Sequence, residues 1–342
     1  MNSLFEKFKN FSPSKIDKAY LDACDNGNLD EVKYLITSDD LKITADVHCE
    51  NDRGLRLVCS RGHLNLIKYF LSSDDCKHSF SINTIGSQPL ISAFNSACNS
   101  GQLNIIKYFL TLNDIKDSDK FTINEGFCIA CRNGYLEVVQ YLLNFHKPKM
   151  EKFAWSSSMY SEYYYFNALN QACYCSKMDI VQYLINSIDN KQINISKISE
   201  NLLNTACVKG DLEMIQYLIK SPNINNYYKL NITQSHLELA YGNNNLDLTK
   251  MLLMHKDYNQ NIDIHANDDS AFTTAIINTN FDLLNVLIFD YGIKLTTKIK
   301  SLLEEYDTDG QIKKLFDMRE INKELNDEIS TNQELKNNKL KL

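Results

Sequence analysis

One phrase recurs along this chain and limits what it can fold into. It reads Ala-Cys-x-x-Gly-x-Leu-x-x-Val/Ile-x-Tyr-Leu/Phe-Leu/Ile. Its first copy is Ala23-Cys24, Gly27, Leu29, Val32 and Tyr34-Leu35-Ile36. It returns with Val58-Cys59, Ala97-Cys98, Ala130-Cys131, Ala172-Cys173 and Ala206-Cys207 at its head. In the fifth copy Ser176 stands where the others have Gly. Two decayed copies begin at Ala240 and Ala275, with Asn244 and Thr279 in the glycine place. A faint ninth is carried by Leu303, Tyr306, Gly310, Ile312, Leu315 and Met318. Most steps between heads are 33 to 35 residues; two, of 39 and 42, imply insertions near 72–92 and 144–166.

A fixed step of this length marks a repeat architecture, in which each unit buries its apolar face only by stacking on its neighbours. The pattern within a copy reads as two helices. Three residues before each head sits a large apolar side chain: Tyr20, Leu55, Phe94, Phe127, Leu169, Leu203, Leu237 and Phe272. With the head and its successor these fall at i, i+3 and i+4, one face of a short helix. Glycine then ends the helix, because the left-handed conformation costs it least. Asn244 suits that conformation next best; Ser176 and Thr279 do not. Leu, Val/Ile and Leu-Leu then supply the face of a second helix. Neither helix is long enough to stand alone. The expected fold is all-α, a solenoid of about nine helix-turn-helix repeats joined by short hairpin-like loops.

The repeat resembles the ankyrin repeat, whose unit runs Thr-Pro-Leu-His-x-Ala-Ala-x-x-Gly-His-x-x-Val-Val-x-x-Leu-Leu. The resemblance covers residues 19–318. Residues 1–18, with Leu4, Phe5, Phe8 and Phe11, read as a capping segment, and 319–342 as a polar C-terminal tail or helix. The wording, with Tyr-Leu closing the second helix, is similar to arrays from social amoebae and from giant DNA viruses of amoebae. No copy keeps Thr-Pro-Leu-His; Gln88-Pro89-Leu90-Ile91 comes nearest. The hydrogen bonding that tightens ideal repeats is therefore expected to be missing, with lower stability per repeat and less regular loops.

The resemblance implies a module that binds proteins and catalyses nothing. A net charge of −7 without a basic stripe argues against nucleic acid, where phosphate neutralisation supplies most of the affinity. Apolar runs such as Val286-Leu287-Ile288-Phe289 are too short for a membrane span. The opening Met1-Asn2-Ser3-Leu4-Phe5-Glu6-Lys7 lacks the apolar core of a signal peptide, so an intracellular, cytoplasmic protein is expected, in the host cytoplasm if viral. It is expected to be a monomer.

Chemistry is not expected. Six of the ten cysteines share one repeat position, where a thiol packs as a small hydrophobe. Cys128-x-x-Cys131 and Cys173-x-Cys175 each lack the second pair that structural zinc needs. The seven histidines share no register with the cysteines, which leaves a nucleophile without a base. Glu305-Tyr306-Asp307-Thr308-Asp309-Gly310 starts like a calcium loop, but its twelfth position is Phe316 instead of glutamate. No catalytic residue, metal ligand or cofactor is expected.

Two surfaces are candidates for a protein partner. The two residues between Cys and Gly should face the concave side: Arg61, Asn99, Arg132, Asn133, Tyr174 and Lys209 are the contact residues expected there. The 144–166 insertion holds Trp155, Tyr160, Tyr163 and Tyr164, and aromatic side chains on a long loop suit an interface. The same aromatics could instead pad the core between repeats. An adaptor that links a bound target to a machine such as a ubiquitin ligase is the alternative function; no F-box-like segment supports it.

Overall fold

The structure is a computed structural model, and it describes residues 2–72, 88–112, 120–152, 159–187, 195–222, 232–254 and 262–339. Among the described residues every regular element is helical. The chain divides into two compact units, Met1–Ile198 and Ser199–Leu342.

In the first unit a short helix α1 (Asn2–Phe8) precedes five helix pairs. These are α2 (Pro13–Asn26) with α3 (Leu29–Thr37), α4 (Cys49–Arg61) with α5 (Leu64–Ser72), and α6 (Gln88–Asn99) with α7 (Leu103–Thr111). The next are α8 (Lys120–Asn133) with α9 (Leu136–Lys152), and α10 (Met159–Tyr174) with α11 (Met178–Ser187). Each first helix packs on the first helix of the next repeat, α2 on α4, α4 on α6, α6 on α8 and α8 on α10. The second helices touch more sparsely. The sequence explains the difference. Four residues before each head stands a small residue, Ala19, Gly54, Ala93, Gly126 or Ala168. A Cβ on Gly54 would lie 2.5 Å from the Tyr20 hydroxyl, and one on Gly126 would lie 2.6 Å from the Phe94 ring. Small residues here let the backbones of neighbouring first helices approach.

The core follows the repeat register. Tyr20, Leu55, Phe94, Leu169, Leu203, Leu237 and Phe272 are almost wholly buried, as are all eight heads from Ala23 to Ala275 and the six repeat cysteines. Burying a side chain of this size contributes roughly 1.5–3 kcal/mol. At the N-terminus Phe8 is buried and meets Tyr34 at 6.5 Å, while Phe11 stays exposed.

The glycine after the first helix does two jobs. Gly27, Gly62, Gly101, Gly134 and Gly210 all have positive φ. Each also leaves room for the residue that follows the corresponding turn in the next repeat. A Cβ on Gly27 would meet His63 at 2.5 Å, and one on Gly62 would meet Gln102 at 2.4 Å. Those two side chains lie over the glycine to reach a carbonyl at the end of the preceding helix: His63 Nε2 lies 2.8 Å from Asp25 O, and Gln102 Nε2 donates to Ser60 O at 3.0 Å. Ser176 (φ 54°) and Thr279 (φ 49°) keep the left-handed stop without glycine, contrary to the sequence reading. The stop is imposed by the helices on either side, so a poorly suited residue is forced into it.

A second ladder runs along the outer helices. Lys33 sits over the Tyr69 ring at 5.2 Å, Lys68 over Tyr108 at 6.0 Å and Lys107 over Tyr141 at 5.4 Å. The tyrosine of the repeat phrase thus serves as the acceptor for the lysine one repeat earlier, each contact worth about 0.5–1 kcal/mol.

The second unit opens with α12 (Ile195–Lys209), whose first turn holds the boundary, and α13 (Leu212–Lys220). Then come α14 (Gln234–Gly242), α15 (Leu246–Met254), α16 (Ala266–Ile277) and α17 (Phe281–Asn285), which widens into a π turn at Val286–Asp290. α14, α16 and α18 (Thr297–Tyr306) stack in order, and α19 (Gln311–Lys339) packs against α17 and the π turn. The last hairpin keeps Gly310 at φ 67° but not the expected register. Tyr306 and Met318 are exposed, and the buried residues are Ile299, Leu303, Ile312 and Phe316. Phe316 meets Phe272 at 5.6 Å. The acidic run before Gly310 caps this helix: the Asp307 carboxylate accepts from Ile312 N at 3.0 Å and Lys313 N at 2.9 Å. α19 continues without a break through 318/319, where the repeat array was expected to end.

Two outcomes test this account. Thr279→Gly is expected to stabilise the chain by about 0.5–1 kcal/mol, because relief of the left-handed strain exceeds the entropy that glycine adds to the unfolded state. A thermal midpoint below that of the parent chain refutes it. His236 is buried, and burial lowers its pKa from 6.5. The unfolded state therefore binds the proton first, and the stability present above pH 6.5 is lost as pH falls below it. Amide protection across Gln234–Gly242, corrected for intrinsic exchange, should drop between pH 7 and pH 5; constant protection would rule the effect out.

Candidate protein-binding face

Among the described residues, two grooves lie on the solvent side of the first-helix layer in the first unit. The first, about 680 Å³, lies between α2 and α4. Its walls include Asp17, Asp22, Asp25 and Glu50 against Lys18, Arg53 and Arg61. The second, about 410 Å³, crosses α4, α6 and α8. It is lined by Arg53, Arg56, Ser60, Asn95, Ser96, Asn99 and Ser100, with Leu57 and Ile129 as its apolar part. Its lining contains two arginines and no carboxylate.

Several candidate residues meet on this face. Arg61 closes the end of α4 and reaches back one repeat, with Nε donating to Asp25 Oδ1 at 2.7 Å and Nη2 to Oδ2 at 3.4 Å. Both partners are well exposed, so the pair contributes little to stability. Asn99 is exposed on the second groove and accepts a hydrogen bond from Asn133 Nδ2 at 3.1 Å. The same amide donates to Ile129 O at 3.0 Å, which fixes the pair across α6 and α8. Arg132 and Tyr174 are exposed at the equivalent place in later repeats, Tyr174 with 52 % of its surface. Lys209 is exposed in the second unit.

Of the two readings of the aromatic insertion, its C-terminal part follows core padding. Most of it is helix: α9 extends to Lys152 and α10 starts at Met159. Trp155 lies outside the described residues, and so do the side chains of Tyr160 and Tyr163. Tyr164 is half-buried, and its carbonyl accepts from the Cys128 thiol at 3.5 Å. Tyr165 is buried and donates to Leu184 O at 2.7 Å. The C-terminal part of the insertion therefore belongs to the inter-helix core, because a helix that begins at 159 turns Tyr165 onto the same face as Leu169.

A motif that the repeat register did not expose shapes the first groove. Asp46-Val47-His48 with Asp52, and Asp263-Ile264-His265 with Asp269, each begin twelve residues before a head. In both, the Asp carboxylate accepts from the His amide two residues on, at 2.9 and 2.8 Å. In both, His Nδ1 pairs with the second Asp, at 2.5 and 2.6 Å. Glu50, Asn51 and Asp52 stand consecutively in the left-handed region, at about 1–2 kcal/mol each. The His–Asp contact offsets part of that cost. Arg56 adds to it: its guanidinium donates to the carbonyls of Asn51 and Glu50, the latter at 3.3 Å. Arg53 pairs with Glu50 at 2.5 Å. The turn thus sets both groove arginines, which sequence reading passed over. The signal available was the doubled Asp-x-His-x-x-x-Asp spacing.

The described cysteines are free thiols. Burial pushes Cys24 up to about 12, and Cys59, Cys98 and Cys131 well above the ordinary range. Cys49 rises to about 11, by burial and then by Asp17 and Asp46. A thiolate is therefore scarce at neutral pH wherever these residues sit. Among the described residues no three His, Cys, Asp or Glu side chains converge as a metal site, and no helix is long and apolar enough to cross a membrane.

A family model described as ankyrin repeats (three copies) matches residues 20–119, 94–196 and 127–229. Together these run from 20 to 229, more than half of the chain. The chain belongs to the ankyrin-repeat family, whose repeats are generally protein–protein interaction modules. No curated protein matches it.

Burial predicts thiol behaviour. Among the described cysteines, Cys49 and Cys175 should be the first to react with iodoacetamide in the folded chain, and the six repeat cysteines only on unfolding. Peptide mapping that finds Cys59 or Cys98 alkylated under native conditions contradicts the packing.

Proposed function

We propose that this chain is a non-catalytic module that holds another protein on the first-helix face, acting as a monomer in the cytoplasm. The observation that carries this reading is the second groove. It crosses three successive repeats, and its polar lining varies in type while the buried frame repeats. Asn99 is its contact residue, Arg61 belongs to the adjoining groove, and Asn133, Arg132 and Tyr174 extend the face. Lys209 holds the equivalent place in the second unit, and Trp155, Tyr160, Tyr163 and Tyr164 remain contact residues of the insertion. If the amoeba- or giant-virus-like wording of the repeats reflects a viral source, that cytoplasm is the host's.

The adaptor reading has one observation in its favour. Met318, Ile321, Leu325 and Ile329 are each about half exposed, at helical spacing on α19. Such a stripe suits a second partner, the machine to which a bound target would be delivered.

Capture from the native cell separates the two. Asn99→Trp fills the groove and should reduce recovery of the main partner by about tenfold, as expected for blocking the centre of an interface. Ile321→Asp with Leu325→Asp should leave that partner bound. Loss of a different protein in the double variant supports the adaptor. Undiminished recovery with Asn99→Trp overturns the groove as the binding site.

A further inference from the structure

We propose that the second groove takes a short, extended acidic peptide segment, with a carboxylate on Arg56 and a main-chain N–H completing Asn95. The inference rests on the reading of the first-helix face as the binding surface and names the chemistry of what binds there.

Charge carries the first step. The groove holds Arg53 and Arg56 and no carboxylate. The partner of Arg53 is Glu50, which stands on the rim of the first groove, and more than half of each side chain is exposed. An ion pair in water is weak, so Arg53 can exchange partners at small cost. Arg56 is held by two backbone carbonyls. These fix the plane of the guanidinium but leave its charge uncancelled, and the described ion pairs give it no carboxylate. A planar fork, held in advance and half-buried, suits a carboxylate well.

The second step is a missing hydrogen bond. Asn95 lines the same groove as Arg56, and its Oδ1 is buried with no protein donor. Asn170 and Thr273 also carry a buried, unpartnered oxygen, two residues before the head of their repeat as Asn95 is. Arg56 occupies the same place in its own repeat. A buried acceptor without a donor costs about 1–3 kcal/mol. Asn95 as a whole is only half-buried, so its amide can turn toward the groove, where a ligand that supplies an N–H recovers that cost. An extended peptide offers a free N–H at alternate residues and a carboxylate within reach of it.

The third step limits the length and class of the ligand. The adjoining groove presents Asp17, Asp22, Asp25 and Glu50. An unbroken polyanion running along the face would meet these carboxylates. The acidic segment must therefore be short and flanked on that side by neutral or basic residues. This favours a peptide over a nucleic acid, whose charge repeats at every nucleotide.

The test uses the full chain and synthetic twelve-residue peptides. A fluorescein-labelled array carries four Asp or Glu among otherwise varied residues. Matched arrays carry Asn and Gln, or Lys, at the same places. The acidic set is expected to bind, and its tightest member is followed by anisotropy. Arg56→Gln should weaken it by about tenfold, and Arg56→Lys should restore only part of the loss. Asn95→Leu should weaken it about threefold to tenfold while leaving the thermal midpoint unchanged or higher, since it removes the unpartnered group. A merely structural asparagine would lose stability instead. Circular dichroism checks that Arg56→Gln keeps its helices, and Asn95→Leu tests the groove independently of that loop. Three results overturn the proposal: acidic peptides that bind no tighter than their amide counterparts, affinity within twofold of the parent in both variants, or equal competition by a twelve-residue thymidine oligonucleotide. If peptides of every class bind alike and Asn99→Trp abolishes them, the groove reading survives and only the acidic preference falls.

Discussion

Everything else in the first unit depends on how closely one first helix can approach the next. That distance is set by the residue four before each head, which is glycine or alanine from Ala19 to Ala168. A larger side chain at Gly54 or Gly126 would meet Tyr20, Phe94 or Cys98 within 3 Å. With the backbones close, the aromatic or aliphatic residue one position later closes the core, and the cysteine behind the head fills what remains. The helix pair contributes little by itself; the contact between repeats makes it stable. The ladder of lysines over tyrosines and the side chains that cover each glycine are further links across the same junctions. All three act between neighbours, which is why one repeat can lose a feature without the array losing its fold.

The same constraint produces the proposed binding face. Because the first helices are crowded on their inner side, their outer positions lie in rows a repeat apart. Residues of different repeats, such as Arg56, Asn95, Asn99 and Ile129, become neighbours in one groove although the chain separates them by up to 73 positions. The buried side cannot vary without cost, whereas the groove side can. Specificity in such a protein therefore resides in the positions about which the repeat phrase says least.

What could be read from the sequence follows from this division. The heads, the preceding apolar residues, the cysteines and the glycines recur because packing demands them, and each falls where the phrase placed it. Ser176 and Thr279 looked incompatible with a left-handed stop, yet they adopt it. Local propensity lost there to the helices on either side. The aromatic insertion allows two readings, an interface loop or padding of the core, because its spacing is irregular; Tyr165 follows the second and reaches Leu184 from within a helix. The last hairpin was misread by a few residues. Among the described residues no further repeat stacks on it, and Tyr306 and Met318 face water while Phe316 turns toward Phe272. Arg56 is hard to read for another reason: its importance comes from a turn of three left-handed residues, whose sequence signal is the doubled Asp-x-His-x-x-x-Asp spacing alone.

That turn links strain to the proposed recognition. Glu50, Asn51 and Asp52 carry a conformational cost that the chain repeats, in a related form, at Asn267 and Asp269. In both places a His–Asp contact closes the loop, so its retention has a structural explanation that involves no ligand. The two copies differ in what the loop holds. At the eighth repeat Asn267 bonds to the Glu238 carboxylate, and the interaction is satisfied within the protein. At the second repeat the loop carbonyls orient an arginine whose charge nothing in the groove cancels. The same backbone device closes on itself in one unit and faces outward in the other, where it adjoins a groove with an unpartnered acceptor. Strain that merely built a loop would not need that difference; strain that presents a guanidinium to a partner would.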